Sequence, residues 1–150
     1  MIVWDDEFST GVDYIDKQHQ HLIDNFNNFV EAVAQNRGRE HLAEMLGYLQ
    51  FYTEWHFNRE ERCMHDHKCP AAMKNKKAHT IFLGKLEALS EHYREEDTDP
   101  HLVDALVEEL GTWIINHILH IDTKLSTCGV TPAYSRTQEI RPYNGQSPQA

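Results

Sequence analysis

The chain has 150 residues, a length that suits one domain with or without a tail, and its 14 Lys and Arg against 24 Asp and Glu give a formal net charge of −10. A negative surplus of that size argues against a nucleic-acid backbone or an anionic membrane surface as the partner. No apolar run approaches the roughly 18 residues of a transmembrane helix, and Met1 leads into Ile-Val-Trp-Asp-Asp-Glu, which lacks the basic start and apolar core of a signal peptide.

Residues before Val12 read as an arm laid on the fold, anchored by Trp4 and Phe8. Apolar spacings of three and four then predict four helices and no strand. The first starts near Asp13 to Asp16 and runs to about Asn36, with Leu22, Ile23, Phe26, Phe29, Val30 and Val33 down one face and Arg37-Gly38 as its stop. The second runs from about Glu40 to Cys63 or slightly beyond, with Leu42, Met45, Leu46, Leu49, Tyr52, His56 and Met64 inward. Cys69-Pro70 breaks the chain, and Pro70 suits the first turn of the next helix. That third helix turns Ala78, Phe82, Leu86, Leu89 and Tyr93 to one side and Lys74, Lys76 and Lys77 to the other. The run from Arg94 through Glu95, Glu96, Asp97 and Thr98 to Asp99 reads as a solvated connector, and Asp99-Pro100 as a cap followed by a helix-starting proline. The fourth helix carries Leu102, Val103, Leu106, Leu110, Trp113, Ile114, Ile118, Ile121 and Leu125. Four helices on short connections imply an all-α, up-down-up-down antiparallel four-helix bundle over residues 1–128. Residues 129–150, with Pro132, Pro142, Gly145 and Pro148, read as an irregular tail or linker.

Three cysteines, Cys63, Cys69 and Cys128, form neither an even framework nor a Cys-x-x-Cys pair, which suits a reducing cytoplasm. The 11 histidines are the larger anomaly, because imidazole is the commonest metal ligand. His19, His56, His79 and His117 fall on the inward faces, one per helix. Counted from the helix ends at ~1.5 Å per residue, all four lie roughly 10 to 14 Å from the same end of an alternating bundle. A lone histidine on an apolar face is more often a core residue with one hydrogen bond. Four at one depth would leave imidazole lone pairs unsatisfied in a core, and a metal resolves that.

Two carboxylates join them. Glu60 is four residues after His56 and shares its face. Asp122 is five residues after His117, a spacing of about 140° on an ideal helix, so periodicity favours His120 and Asp122 needs a local π-bulge to turn inward. Imidazoles with two carboxylates suit iron, and ligands on four helices can hold two ions with the carboxylates as bridges. No thiolate joins, since Cys63 and Cys69 follow no zinc spacing. His-Glu-x-x-His and Glu-x-x-His are absent.

The motifs Gly11-Val12-x-x-Ile15-Asp16-x-Gln18-His19-x-x-Leu22, His56-Phe57-x-x-Glu60-Glu61-x-x-Met64, His79-x-x-Phe82 and Trp113-x-x-x-His117-Ile118-x-x-x-Asp122 resemble those of the bacterial hemerythrins, in order and spacing, from about Trp4 to Leu125. The resemblance implies a non-haem centre of two iron ions, oxo- or hydroxo-bridged, that binds O2 reversibly when reduced. By the same resemblance, Glu60 and Asp122 would bridge the irons. His19 and His56 would hold the ion with the vacant position, and His79 and His117 the other. Trp113, Ile114 and Ile118 would line an apolar ligand pocket. The family places a further histidine one turn before His79, where this chain has Asn75, a far poorer iron ligand. A second labile position would admit small anions or peroxide and speed autoxidation, which suits an oxygen or redox sensor, or a di-iron peroxidase-like activity, better than a store. His65 and His67 lie in the nearby loop and read as solvated, as do His21, His41, His92 and His101.

The resulting expectation is an oxygen-binding sensor or carrier, with O2, peroxide, NO or a small anion as ligand and a C-terminal output domain or protein as a further partner. Two alternatives stand beside it: a di-iron enzyme that reduces peroxide or nitric oxide, and a structural or storage bundle that holds zinc.

Overall fold

In the computed structural model, which describes residues 1–94 and 99–139, every regular element is helical. The helices are α1 (Asp13–Ala34), α2 (Arg39–Asp66), α3 (Ala72–Arg94), α4 (Pro100–His120) and α5 (Pro132–Glu139), with 3-10 turns over Asp6–Phe8 and Asp122–Thr127. Helices adjacent in sequence pack together, α1 on α2, α2 on α3 and α3 on α4. None among the described residues is long and apolar enough to cross a membrane.

The arm is tied down as expected, and the polar contacts show how. The Asp16 carboxylate accepts hydrogen bonds from the Thr10 amide at 2.8 Å, the Thr10 hydroxyl at 2.7 Å and the Ser9 hydroxyl at 2.8 Å. Gly11, at φ +75°, makes the turn that permits this. Further out, Ile2 exchanges both backbone hydrogen bonds with the Asn27 side chain, while Phe8 is buried and Trp4 packs on the core beside it. α1 stops earlier than Gly38. Asn36 takes the left-handed conformation at φ 52°, a place asparagine tolerates, and the Arg37 amide returns to the Ala32 carbonyl. Asp99 caps α4 as its sequence predicts, accepting from the His101 amide at 3.0 Å.

The core divides in two. Leu22, Phe26, Phe29, Leu46, Leu49, Phe82, Leu86, Leu110 and Ile114 belong to the larger cluster. Val12, Ile15, Cys63, Met64, Cys69 and Leu125 form the smaller one. Along α1 the order is Ile15, His19, Leu22, and along α2 it is Phe57, Glu60, Cys63. The same holds where α4 ends, at Ile118, Asp122, Leu125. A polar layer therefore separates two apolar ones, and burial of each large apolar side chain, worth about 1.5–3 kcal/mol, holds that layer in place from both sides.

Two expectations are corrected. Residues 132–139, read as irregular tail, form α5. This helix packs on α1, where the Ser135 hydroxyl accepts from the Tyr14 amide at 3.4 Å, and Tyr134 donates to Asp66 at 3.0 Å. Its composition shows little apolar periodicity, so only the docking site reveals it. The expected connector at Glu95–Thr98 and the tail from Ile140, with Pro142, Gly145 and Pro148, lie outside the described residues. The cysteine reading also changes, because Cys69 and Cys128 form a disulfide with Cα atoms 5.5 Å apart, and Cys63 is left as a buried thiol. The pair joins the turn before α3 to the end of the 3-10 turn that carries Asp122, an approach no local spacing encodes. Closing a loop of 59 residues should stabilise the fold by about 2–4 kcal/mol. Denaturant melts with and without a phosphine reductant should show that loss, and coincident curves would refute it.

Candidate metal centre

His19, His56, His79 and His117 meet in the polar layer, each at most 5% exposed. Glu60 and Asp122 lie among them, 0% and 1% exposed. Glu60 shares the face of His56 because the two are one helical turn apart. Its Oε2 lies 3.0 Å from His19 Nε2 and 3.3 Å from His56 Nε2, while Oε1 lies 3.2 Å from His79 Nε2. Asp122 repeats the pattern, with Oδ2 3.2 Å from His19 Nε2 and Oδ1 3.0 Å from His117 Nε2. Each carboxylate thus offers one oxygen to each side of the layer.

Asp122 arrives by a route the periodicity does not predict. There is no π-bulge. α4 ends at His120; the Ile121 amide still donates to the His117 carbonyl at 2.9 Å, but its backbone opens to φ −116° at ψ −59°, and the tighter 3-10 turn that follows begins with Asp122. The break re-aims the carboxylate inward and leaves His120 exposed.

Asn75 is 0% exposed, on α3 one turn before His79. Its Nδ2 donates to Glu60 Oε1 at 2.9 Å and to Met64 Sδ at 3.3 Å. It therefore touches the carboxylate that spans the layer. Its Oδ1 is buried without a hydrogen-bond partner.

Burial and pairing set the charges. Burial alone would lower the His19 pKa, but hydrogen bonds to Asp122 and Glu60 outweigh it and push it up to about 10. His79 follows the same balance, lowered by burial and raised more by Glu60 and Glu61, to about 9. For His56 burial wins over Glu60 and the pKa falls. Burial would raise Glu60, yet the imidazoles of His19, His56 and His79 hold it well below the carboxylate range.

The donor set fits metal ions. The ligating atoms of Glu60, His79, His117 and Asp122 lie within 4.8 Å of one another, as do those of His19, His56 and Glu60. His117 Nε2 and His79 Nε2 face each other at 3.1 Å, where two lone pairs would repel unless a proton or cation lies between them. His19 Nδ1 and Asp122 Oδ1 are buried without a well-formed hydrogen bond, although Asp122 Oδ1 stands close to His117.

Several supporting residues carry no site role in the motif spacing alone. Gln18 Oε1 accepts from His56 Nδ1 at 2.7 Å, and Glu61 Oε1 lies 3.3 Å from His79 Nδ1. Such contacts fix which ring nitrogen points inward. Phe57 stacks on His79 with ring centroids 3.6 Å apart and Trp113 on His117 at 4.2 Å. Gln18, Glu61 and Phe57 each adjoin an inward histidine or carboxylate in sequence, the one signal that could have found them. Ile114 and Ile118 lie in the large core cluster, while Trp113 also lines a cleft of about 690 Å³ between α3 and α4 that reaches His117.

The remaining histidines stay outside. The His65 side chain is 88% exposed, His67 Nδ1 donates to the Cys63 carbonyl at 2.7 Å, and His21, His41 and His101 are exposed, with His92 half-buried.

The chain is similar in sequence to known proteins. Residues 10–127 match the family profile described as Hemerythrin HHE cation binding domain. The chain is 32% identical over 123 residues to a bacteriohemerythrin of Pseudomonas aeruginosa, covering 81% of this chain and 76% of that protein. It is 29% identical over 125 residues to a bacteriohemerythrin of Clostridium acetobutylicum, covering 81% and 96%. A myohemerythrin of Riftia pachyptila is 33% identical over 122 residues, covering 81% and 88%.

Proposed function

This chain belongs to the hemerythrin family, and from that premise we propose that it holds two non-haem iron ions and binds O2 at them, as an oxygen or redox sensor or a carrier. Ferrous iron would supply the electrons with which dioxygen is bound. His19 and His56 would hold one ion and His79 and His117 the other, with Glu60 and Asp122 available to both. The observation that carries this reading is the division of each carboxylate between the two sides, Glu60 by its two oxygens at 3.0 Å and 3.2 Å from His19 and His79. Gln18 and Glu61 hold the rings of His56 and His79 in their ligating orientation. Phe57, Trp113, Ile114 and Ile118 exclude water from the imidazoles. Asn75 fixes Glu60 and is not itself a strong ligand, which leaves the His79 side with two imidazoles. That favours a sensor over a store. Residues 1–128 carry the centre.

Iron analysis with absorption spectra, taken reduced without air and then after oxygen, tests the proposal. Two iron ions per chain and an oxygen-dependent charge-transfer band are expected. A colourless zinc-loaded protein would overturn it in favour of storage or structure. The cleft that reaches His117 favours one second reading, an enzyme reducing peroxide or nitric oxide, and steady turnover with a reductant would establish that instead.

The pKa shifts predict how loading responds to pH. His19 and His79, ordinarily near 6.5, are raised to about 10 and about 9, so both carry protons at neutral pH when no metal is bound. Their contribution to the metal-free fold is complete below pH 6.5 and is lost as pH rises through about 9 and then about 10. A cation must displace those protons. Loading near pH 7 should release about two protons per chain, and affinity should climb with pH until both rings are neutral. Calorimetry in buffers of contrasting ionisation heat measures the count. A pH-independent affinity would contradict the charge state assigned to these rings.

A further inference from the structure

One stretch departs from the acidity of the rest. Residues 67–86 hold five lysines and no Asp or Glu, which leaves nine basic against 24 acidic residues for the remainder of the chain. Lys68, Lys74, Lys76 and Lys77 are exposed, and none makes an ion pair among the described residues, whereas Lys85 pairs with Glu109 across the cleft. Met73 and Ile81 stand exposed among them, at 75% and 58%. An unpaired cationic rim around exposed apolar side chains is the make-up of a surface that steers and then seats an anionic protein. The overall charge of −10 repels a long polyanion such as DNA or an anionic bilayer, so a compact acidic protein fits best.

The place of this face indicates what such a protein would do. Lys74 lies on the wall of the α3–α4 cleft, together with Ala78 and Lys85, opposite Trp113 and His117. The Trp113 indole lies nearly parallel to the His117 ring, 10° between planes, and His117 Nε2 is 3.0 Å from Asp122. A partner seated on this stretch would reach the cleft at Lys74, the unpaired lysine on its wall, where the stacked Trp113–His117 pair also lies.

We infer that the lysine face of α3 docks an acidic one-electron carrier protein, of the ferredoxin or flavodoxin chemical class, that reduces the centre. Each encounter would pass one electron from the carrier, which is oxidised by one unit, to a ferric ion held by the centre, so two encounters would supply the two electrons that a pair of ferric ions needs. The electron-transfer half rests on the proposed iron centre, and the docking half does not.

The test separates the two. The full chain loaded with redox-inert zinc is titrated with an oxidised plant-type [2Fe–2S] ferredoxin and followed by NMR and calorimetry. Saturable binding is expected, with shifts confined to residues 67–86 and the cleft. Affinity should fall by about tenfold or more between low and physiological salt, and by as much in the triple variant Lys68→Glu, Lys76→Glu, Lys77→Glu. Arg37→Glu should leave it unchanged, and melting curves confirm that the triple variant folds. On the iron-loaded chain, reduction by reduced ferredoxin should slow in the triple variant by a similar factor, while reduction by photoreduced lumiflavin, a small neutral reductant, should not. Absence of binding at low salt, or binding indifferent to the charge reversals, overturns the inference. So does a ferredoxin that binds without hastening reduction, a dimer in gel filtration that the triple variant dissolves, or selective binding to phosphatidylserine vesicles. If iron does not load at all, the proposed function falls, while the zinc-protein titration still decides the docking.

Discussion

Glu60→Ala should empty both halves of the centre. Glu60 is the one residue common to the two groups of ligating atoms, and it stands 3.0 to 3.3 Å from three imidazoles. Removing a contact outside the ligand set of a metal site commonly costs ten- to a hundredfold in affinity, so deletion of the shared carboxylate should cost more than about a hundredfold at each position. Metal content after dialysis, by elemental analysis, should drop from about two ions per chain to a small fraction of one. Retention of either ion would show that Glu60 does not join the halves.

The metal-free variant should also lose stability, about 3–5 kcal/mol where the pairing is fully developed, because a buried ion pair has lost one member. The pH dependence identifies the cause. Glu60 has a depressed pKa, so its contribution is present above the ordinary carboxylate value of 4.5 and fades as pH falls through the folded value. His79 has a raised pKa, so its contribution is complete below 6.5 and lost through about 9. The deficit should be greatest between about pH 5 and 6.5 and should shrink by pH 9. A deficit constant with pH would point to lost packing. Glu61→Gln serves as the milder comparison, since Glu61 is partly exposed and meets only the outer nitrogen of His79.

Asn75→His should slow autoxidation of the oxygenated protein and tighten the second ion by about tenfold or more, through an imidazole where an amide now stands. The same change should lower the melting temperature of the metal-free chain. Asn75 is wholly buried against Met64, with Sδ at 3.3 Å, and the larger ring costs about 1–3 kcal/mol of overpacking. It also removes the hydrogen bond to Glu60 at 2.9 Å. Opposite shifts in the loaded and metal-free proteins distinguish a gained ligand from better packing. The decay of the oxygenated absorbance band gives the rate, and a rate unchanged or faster would count against Asn75 as the origin of a labile position.

Much of the site is legible in the amino-acid sequence. The four inward histidines follow from the apolar stripes, because a helix that buries one face carries every residue of that face inward, polar ones included. Glu60 follows from His56 by one turn. The deficit at Asn75 is visible through the spacing of neighbouring motifs. What the residue does instead is not, since its bond to Glu60 joins α3 to α2.

Asp122 marks the boundary more sharply. Helical periodicity turns it away from His117, and a break at Ile121 brings it back, by geometry set through packing of the smaller cluster that holds Leu125. The Cys69–Cys128 bond, α5 and the outer contacts of Gln18 and Glu61 belong to the same class. Each depends on where the end of one element lies against another, and no period within a segment carries that information.

The sequence by itself determined the four long helices, their buried faces, the level at which four imidazoles meet and the family to which the chain belongs, because these follow from a 3.6-residue repeat and from residue chemistry. The tertiary structure alone decided how each carboxylate divides between the two sides, that Asn75 serves Glu60, and that Lys74 stands on the wall of the cleft that reaches His117. Those features are made by side chains from different helices, whose meeting is settled only when both apolar clusters close around the polar layer.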